Sequence, residues 1–194
     1  MPMDTQERAW LEEYRSGDTE ALGHLVEQYR RPLFAFILKM TSVGDAEEIF
    51  QETWIRAIRN LERFQANNLL GWLFRIAHNL LVDRARRNRL VLPGSGPGTA
   101  EGSRVDWVQT IPSKDRGPST EADRADLKAR IDRAVLRLPA EQREVFLLRM
   151  EGQLPFKEIA KIQGTGLNTA LARMHYAVLK LRTELKDEYE ALKG

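Results

Sequence analysis

The chain has 194 residues, of which 42% are hydrophobic, 30 are Lys or Arg and 28 are Asp or Glu. This length is enough for one medium domain or two small ones, and the lack of cysteine excludes disulfides, thiol nucleophiles and thiolate metal sites. No apolar run approaches the roughly 18 to 20 residues of a membrane span. Asp4 and Glu7 stand where a signal peptide needs an apolar core, so we expect a soluble cytoplasmic protein without membrane insertion.

The net charge of +2 is distributed unevenly along the chain. Residues 1–63 hold 8 basic and 12 acidic side chains, whereas residues 64–90 hold five arginines against Asp83 alone. An acidic segment followed directly by a basic one is typical of a chain with two different partners, although a solvated charged face is the plainer interpretation.

Two helices are predicted first in chain order. From about Glu20 apolar residues recur at helical spacing as far as Ile37, and Pro32 is expected to kink or divide this helix. Asp45 followed three residues later by Glu48 resembles a capping box, which predicts a second helix with Asp45 as its N-cap.

A third helix is predicted from Leu69 or Leu70 to about Arg89, and one of its faces is polar and basic. The residues that recur on this face at steps of three and four are Arg75, Asn79, Val82, Arg86 and Arg89. Arginines neutralise phosphates and an asparagine can read a base edge, so the face suits DNA. The preceding loop, residues 64–68, is rich in amides beside aromatic side chains and could hold an unstacked base. An ordinary interhelical turn is the alternative.

Residues 91–118 contain a cluster of Pro, Gly and Ser and are predicted to form a flexible linker. A linker folded onto one of the domains stays open as an alternative, because Val105, Trp107, Val108 and Ile111 are apolar.

The second half of the chain predicts four helices. They are expected at about 120–136, at 141–150 with Pro139 at position N1, from Pro155 to Ile162, and from Asn168 to about Leu185. A short helix, a glycine-bearing turn and a longer helix form a helix-turn-helix. The residues expected to face inward on the last helix are Ala170, Met174, Ala177, Val178 and Leu181.

The sequence offers little for catalysis. His24, His78 and His175 are too scattered for a metal or catalytic motif, and no nucleotide-binding motif occurs, so no cofactor is expected. Binding is the remaining class of function.

Five segments resemble the sigma-70 family of bacterial transcription initiation factors, in its compact extracytoplasmic-function (ECF) branch. Region two of that family is similar to Asp45–Ala57 and Trp72–Asp83, and region four is similar to Leu138–Arg149, Phe156–Ala160 and Asn168–Ala170. The resemblance implies an all-α fold of two small helical domains, a region 2 bundle at 1–90 and a region 4 helix-turn-helix at 119–194, joined by the linker at 91–118.

The resemblance also implies partners and a non-enzymatic role. The partners would be core RNA polymerase, met at the β′ clamp helices and the β flap, promoter DNA, and an anti-sigma factor. The implied polymerase-binding residues are Asp45, Glu48, Gln51 and Glu52. The implied −10 DNA-binding residues are Asn67, Asn68, Trp72, Arg75, Asn79, Arg86 and Arg87. The implied −35 DNA-binding residues are Asn168, Thr169, Leu171, Ala172, Arg173, His175 and Tyr176.

Leu171 and Ala172 stand where family members usually carry Lys, Arg or Ser, so thymine methyl contacts are expected there. The linker is long enough for the implied geometry. Promoter elements about 17 base pairs apart are separated by roughly 60 Å, and 28 residues reach at most roughly 90 Å.

Two other classes of protein remain open. One is a stand-alone regulator that binds operators as a dimer through 119–194, with 1–90 as a sensor or dimerisation domain. The other is a metalloenzyme in which Asp45, Glu48 and Glu52 hold Mg²⁺.

Overall fold

The computed structural model describes residues 3–66, 68–91 and 118–186, with the backbone alone for 89–91 and 118–124. Residues 92–117 of the predicted linker, with Trp107, lie outside the described residues. Asn67 of the predicted −10 site lies outside them as well.

The described residues form eight α-helices and no strand, which confirms the all-α fold class. The order of the helices after residue 19 follows the prediction, and the short seventh helix is followed by the longer eighth, as expected for a helix-turn-helix. The helices are α1 (Thr5–Arg15), α2 (Thr19–Met40), α3 (Val43–Leu61), α4 (Leu69–Val91), α5 (Pro118–Leu136), α6 (Ala140–Met150), α7 (Phe156–Ile162) and α8 (Leu167–Glu184).

Helix α1 was not anticipated. It begins with a capping box, in which Asp4 accepts a hydrogen bond from the Glu7 backbone N–H at 2.8 Å and Glu7 accepts one from the Asp4 backbone N–H at 2.8 Å. Leu11 is buried and the Trp10 ring stacks on His24 at 5.3 Å, so α1 packs along α2. These local caps and contacts stabilise a helix too short and too polar to show a clear apolar period.

The predicted N-cap of the second helix is wrong, and the predicted division of the first helix at Pro32 does not occur. Ser42, not Asp45, is the N-cap of α3, and its hydroxyl donates to the Asp45 carboxylate at 2.8 Å. Pro32 lies inside α2 without dividing it, because Leu33 and Phe36 directly beyond it are buried and hold the helix in place.

Two further expectations in the second half need correction. Pro139 is the N-cap of α6, and Ala140 is the first helical residue. Val178 is 37% exposed, because Ala177 and Leu181 occupy the buried face of α8.

The cores of the two halves are formed by different helices. In the first half, α2, α3 and α4 enclose Phe36 and Phe74, whose rings meet edge to face at 4.9 Å. In the second half, α6, α7 and α8 enclose Leu148, Ile159 and Ala177. The buried apolar side chains of the two halves belong to one hydrophobic cluster.

The two halves also pack against each other, α2 on α6 and α4 on α7. Lys39 of α2 forms ion pairs with Asp132 and Glu151, both at 3.0 Å. A Cβ atom at Gly152 would lie only 2.5 Å from the Phe74 ring, so this contact requires glycine. The half-buried Arg143 donates to the Lys39 carbonyl at 3.0 Å.

Replacing Asp4 with alanine removes the side-chain acceptor at the start of α1. We expect the free energy of unfolding to fall by about 1 kcal/mol, as measured by urea denaturation. Glu13→Ala is the matched control, because Glu13 lies on the exposed side of α1 and its side chain has no hydrogen bond or ion pair with the described residues. Equal losses in the two variants would contradict the capping role.

Candidate nucleic-acid and protein interfaces

The polar face of α3 forms an exposed acidic surface, which we define as Glu48, Gln51, Glu52 and Ile55. The Glu48 side chain is 64% exposed, and Ile55 is 44% exposed despite being apolar. An open groove runs beside this surface between α3 and α4, with Leu80 at its floor. Exposed carboxylates beside an exposed isoleucine are suited to contact a basic, partly apolar protein surface.

Asp45, the fourth residue predicted for this surface, turns toward α4 instead. Arg84 of α4 donates to the Asp45 carboxylate and also holds both oxygens of Glu48, at 2.9 and 3.1 Å. Arg84 had no role in the sequence-based prediction, because the pair joins residues 39 positions apart. This fork links the acidic helix to the basic one.

The Asp45 carboxyl is ionised more readily than an ordinary aspartate. Burial raises its pKa, but hydrogen bonds from Ser42 and Arg84, together with the positive charge of Arg84, outweigh that effect and lower the pKa below its usual value.

A second, larger cavity of about 570 Å³ lies at the loop between α3 and α4. Phe64 and Trp72 meet there with ring centroids 4.9 Å apart, and Asn79 of α4 also lines the cavity. Aromatic faces stack on bases and amides pair with base edges, so this cavity suits an unstacked nucleobase.

Three lining residues of this cavity were missed by the sequence analysis. Arg56, Asn60 and Arg63 come from the end of α3 and from the turn after it, and they bring positive charge and an amide to the wall opposite α4. The spacing of Arg56 and Asn60, one helical turn apart, was the available signal.

Asn68 has a structural role in the described fold. Its Oδ1 accepts a hydrogen bond from the Gly71 N–H at 2.9 Å, so the side chain caps the start of α4. Asn68 does not line the cavity, whereas Gln65 and Ala66 do.

The remaining residues predicted for −10 contact lie where DNA could reach them. Arg75, Asn79, Arg86 and Arg87 are all exposed on α4, while Trp72 is half-buried. The buried residues between them on the same helix, Leu73, Phe74, Ala77 and Leu80, fix that orientation.

The N-terminal half of α8 presents the predicted −35 face. Asn168, Thr169, Ala172 and His175 are exposed, and Leu171 and Tyr176 are 42% and 59% exposed. The turn before the helix contains Gly164 at φ +60°, a conformation that favours glycine.

Arg173 differs from its neighbours on this face, because it already has partners. Its side chain is 22% exposed, forms an ion pair with Glu141 at 2.8 Å and donates to Gln163 Oε1 at 3.0 Å. Gln163 in turn donates to Glu144 at 2.8 Å, and Glu144 contacts His78 of α4 at 2.5 Å. Three hydrogen bonds therefore connect α8 with α4.

No group of three His, Cys, Asp or Glu side chains suited to a metal ion occurs among the residues the structure describes. The carboxylates considered for Mg²⁺ have cationic partners, since Asp45 and Glu48 are paired with Arg84, and Glu52 with Arg56 at 2.7 Å. Over the same parts of the chain, no helix has the length and apolar content needed to cross a bilayer.

Comparison with known proteins gives matches over both halves. Residues 25–91 match the family model "Sigma-70 region 2", and residues 128–181 match "Sigma-70, region 4". The ECF RNA polymerase sigma factor SigW of Bacillus subtilis is 30% identical over 91% of this chain and 95% of its own length. SigE of Mycolicibacterium smegmatis is 30% identical over 88% of this chain and 65% of its own. Among solved structures, the sigma factor RpoE of Bartonella quintana, in complex with the anti-sigma factor NepR, has a TM-score of 0.64 at 22% identity, covering 87% of this chain and 98% of that one.

Two sigma regions in sequence order, together with a relative matched over almost its whole length, define the class: the chain belongs to the sigma-70 family of RNA polymerase sigma factors, in its ECF branch. As a member of this family, the chain binds RNA polymerase and recognises promoters together with it.

Replacing Arg84 with glutamine should raise the pKa of Asp45, as followed by NMR titration of its carboxyl carbon. The stability from this group is fully present above the ordinary aspartate pKa of about 3.9 and is lost as pH falls through the lowered folded-state pKa. As the pH falls from about 3.9 through the folded-state pKa of Asp45, the free energy of unfolding should therefore fall less in the variant than in the wild type.

The matched control is Arg86→Gln, an exposed arginine of the same helix. An unchanged Asp45 titration in Arg84→Gln would contradict the fork between α3 and α4.

Proposed function

We propose that the chain docks on core RNA polymerase through the acidic surface of α3, captures a −10 base in the cavity beside α4, and reads the −35 element with α8. Residues 1–90 and 119–194 act as two DNA-binding units in this proposal. The observation that carries it is the cavity, because aromatic faces, amides and arginines converge there without any catalytic group.

Polymerase docking is assigned to Glu48, Gln51 and Glu52. Asp45 instead links α3 to α4 through its contact with Arg84. The β′ clamp helices are the proposed partner of this surface. Ile55 adds an exposed apolar contact at the C-terminal end of this surface. The Arg84 fork keeps Glu48 in place before docking, which lowers the entropy lost on association.

Capture of a −10 base is assigned to the cavity, with Trp72 as the stacking surface and Asn79 as the reader of the base edge. Unstacking costs a few kcal/mol, which stacking and polymerase contacts offset without hydrolysis of a nucleotide. Arg75, Arg86 and Arg87 are assigned to phosphates of the adjoining duplex. We therefore propose a non-enzymatic role in the cytoplasm, where the polymerase works.

At the −35 element, Leu171 and Ala172 are assigned to thymine methyl groups, with His175 and Tyr176 adding polar contacts. Asn168 and Thr169 stand at the N-terminal turn of α8, where backbone N–H groups favour a phosphate. The β flap is the proposed polymerase contact of this domain. An anti-sigma factor is a further proposed partner, since the similar RpoE structure is a complex with one.

The described arrangement has to open before both promoter elements are bound. The hydrogen bonds from His78 to Arg173 and the side chains between them span at most about 25 Å. The −10 and −35 elements lie roughly 60 Å apart on duplex DNA. Simultaneous reading therefore breaks the contacts of His78 with Glu144 and of Lys39 with its two carboxylates.

Run-off transcription on a genomic promoter pool with purified core polymerase tests the function as a whole. Start sites that depend on the protein and share −10 and −35 elements are expected. Binding to palindromic operators without polymerase would instead favour the stand-alone regulator.

Charge reversal on the acidic surface should weaken polymerase binding. Glu48→Lys and Glu52→Lys each place a like charge against a basic partner surface, so we expect about a tenfold loss of affinity for core polymerase by fluorescence titration. Glu47→Lys is the matched control, because Glu47 is exposed on the same helix outside the acidic surface. Equal affinity in all three variants would remove the docking assignment.

Asn79→Ala should reduce −10 discrimination more than general DNA affinity, because an amide reads a base edge. The ratio of the affinities for cognate and scrambled −10 DNA is expected to fall about 10-fold, which lies within the 1–3 kcal/mol typical of a base contact. Arg75→Ala serves as comparison and should weaken cognate and scrambled −10 DNA alike. Loss of equal size on scrambled DNA in Asn79→Ala would contradict base reading.

Lys39→Glu should separate the two halves, because it faces Asp132 and Glu151 with a like charge. Dyes attached at Gln28→Cys and Thr183→Cys would report the distance between α2 and α8 by energy transfer, with no native cysteine to interfere. Lys157→Glu, an exposed lysine of α7, is the control. A distance that stays the same in Lys39→Glu and on addition of polymerase would contradict the opening.

A further inference from the structure

Arg15, in the last turn of α1, makes a contact far along the chain. Its guanidinium Nη2 donates a hydrogen bond to the backbone carbonyl of Phe64, in the loop between α3 and α4. Phe64 is the aromatic residue that packs on Trp72 in the proposed base cavity. Helix α1 lies before residues 25–91, which match the sigma-70 region 2 model.

We propose that Arg15 is a positioning residue for −10 base capture, which holds the Phe64 segment of the loop and thereby the aromatic wall of the cavity. This inference rests on the proposed role of the cavity. Arg15 does not itself line the cavity, so its effect would pass through Phe64.

The Phe64 carbonyl needs a donor that the helices do not provide. Helix α3 ends at Leu61, and the Phe64 N–H closes a turn by donating to the Leu61 carbonyl at 3.1 Å. The Phe64 carbonyl lies beyond that turn, in a part-buried position, and a buried carbonyl without a partner is costly. The guanidinium satisfies it with a charge-assisted hydrogen bond, which is stronger than one between neutral groups.

Arg15 is itself held in place before any DNA binds. Its Nη1 donates to Glu12 at 2.6 Å, and only 27% of its side chain is exposed. Helix α1 is fixed on α2 by buried Leu11 and by the stacking of Trp10 on His24. A guanidinium fixed at one end to a packed helix can hold a loop rigidly, which is what a preorganised binding site requires.

The loop is therefore anchored at two points. Arg15 holds it at Phe64, a residue that is only 6% exposed, and Asn68 holds it at the start of α4 through Gly71. Exposed Gln65 and Ala66 lie between the anchors and line the cavity. Release of the first anchor would loosen the wall that contacts the base, while the helices that surround the core stay packed.

The test uses holoenzyme assembled from core polymerase and full-length variants. The probes are fluorescent single strands that carry the −10 element defined by run-off transcription, and the same strands with each base of that element replaced in turn. Arg15→Gln should reduce the ratio of affinities for cognate and replaced strands by about 5-fold, out of the roughly 5- to 150-fold typical of one base. Affinity for core polymerase and for double-stranded −35 DNA should stay within twofold of the wild type.

Arg15→Lys keeps a charged donor and should recover part of the discrimination, which a purely structural role would not predict. The matched control Arg8→Gln removes an exposed arginine from the same helix and should leave discrimination unchanged. Wild-type discrimination in Arg15→Gln would overturn the role of Arg15. An equal loss of affinity for every strand would overturn it as well, because the cavity would then have lost binding without losing selectivity. If the wild-type holoenzyme did not discriminate between cognate and replaced strands, the proposed role of the cavity in base capture would be wrong.

Discussion

Burial of the Phe74 ring is the interaction on which the described arrangement depends. The ring meets Phe36 edge to face inside the first half of the molecule, and it also lies against Gly152 of the second half. Since Phe74 and its neighbour Leu73 are both completely buried, the rotation of α4 about its axis is fixed. That rotation leaves Asn79 exposed beside the base cavity. One aromatic side chain thus links the core, the face proposed to read DNA and the contact between the halves.

Much of the fold could be predicted from the sequence, because its helices from α2 onward carry strong apolar periodicity. Where the local sequence pattern led to a wrong prediction, contacts with residues far along the chain determined the structure. Asp45 has the sequence surroundings of an N-cap, but Arg84, 39 positions later, binds its carboxylate, and Ser42 stands at the N-cap position of the helix. Helix α1 escaped prediction because its stability comes from Asp4 at its start and from packing on α2, not from a long apolar period.

The candidate site shows the same division between local and distant information. The exposed face of α4 follows directly from residues three and four positions apart, so the exposure of Arg75 and Asn79 could be predicted from the sequence alone. The opposite wall of the cavity comes from the end of α3, and no short-range pattern connects Asn60 with Asn79. The side-chain amide of Asn68 is equally suited to a base by its chemistry. Its Oδ1, however, accepts the Gly71 N–H at the start of α4, where the backbone N–H groups need an acceptor.

Gly152 gives the relation between the two halves an unusual sensitivity. A methyl group at this position would overlap both the Phe74 ring and the Leu148 carbonyl, at 2.5 and 2.8 Å, so no other residue fits without displacement. If the halves separate as proposed, the overlap with Phe74 is removed and the one with Leu148 is kept. Enlarging this residue would then favour the separated arrangement without changing any side chain proposed to contact the promoter. The proposed separation of the halves is therefore sensitive to a single methyl group at residue 152.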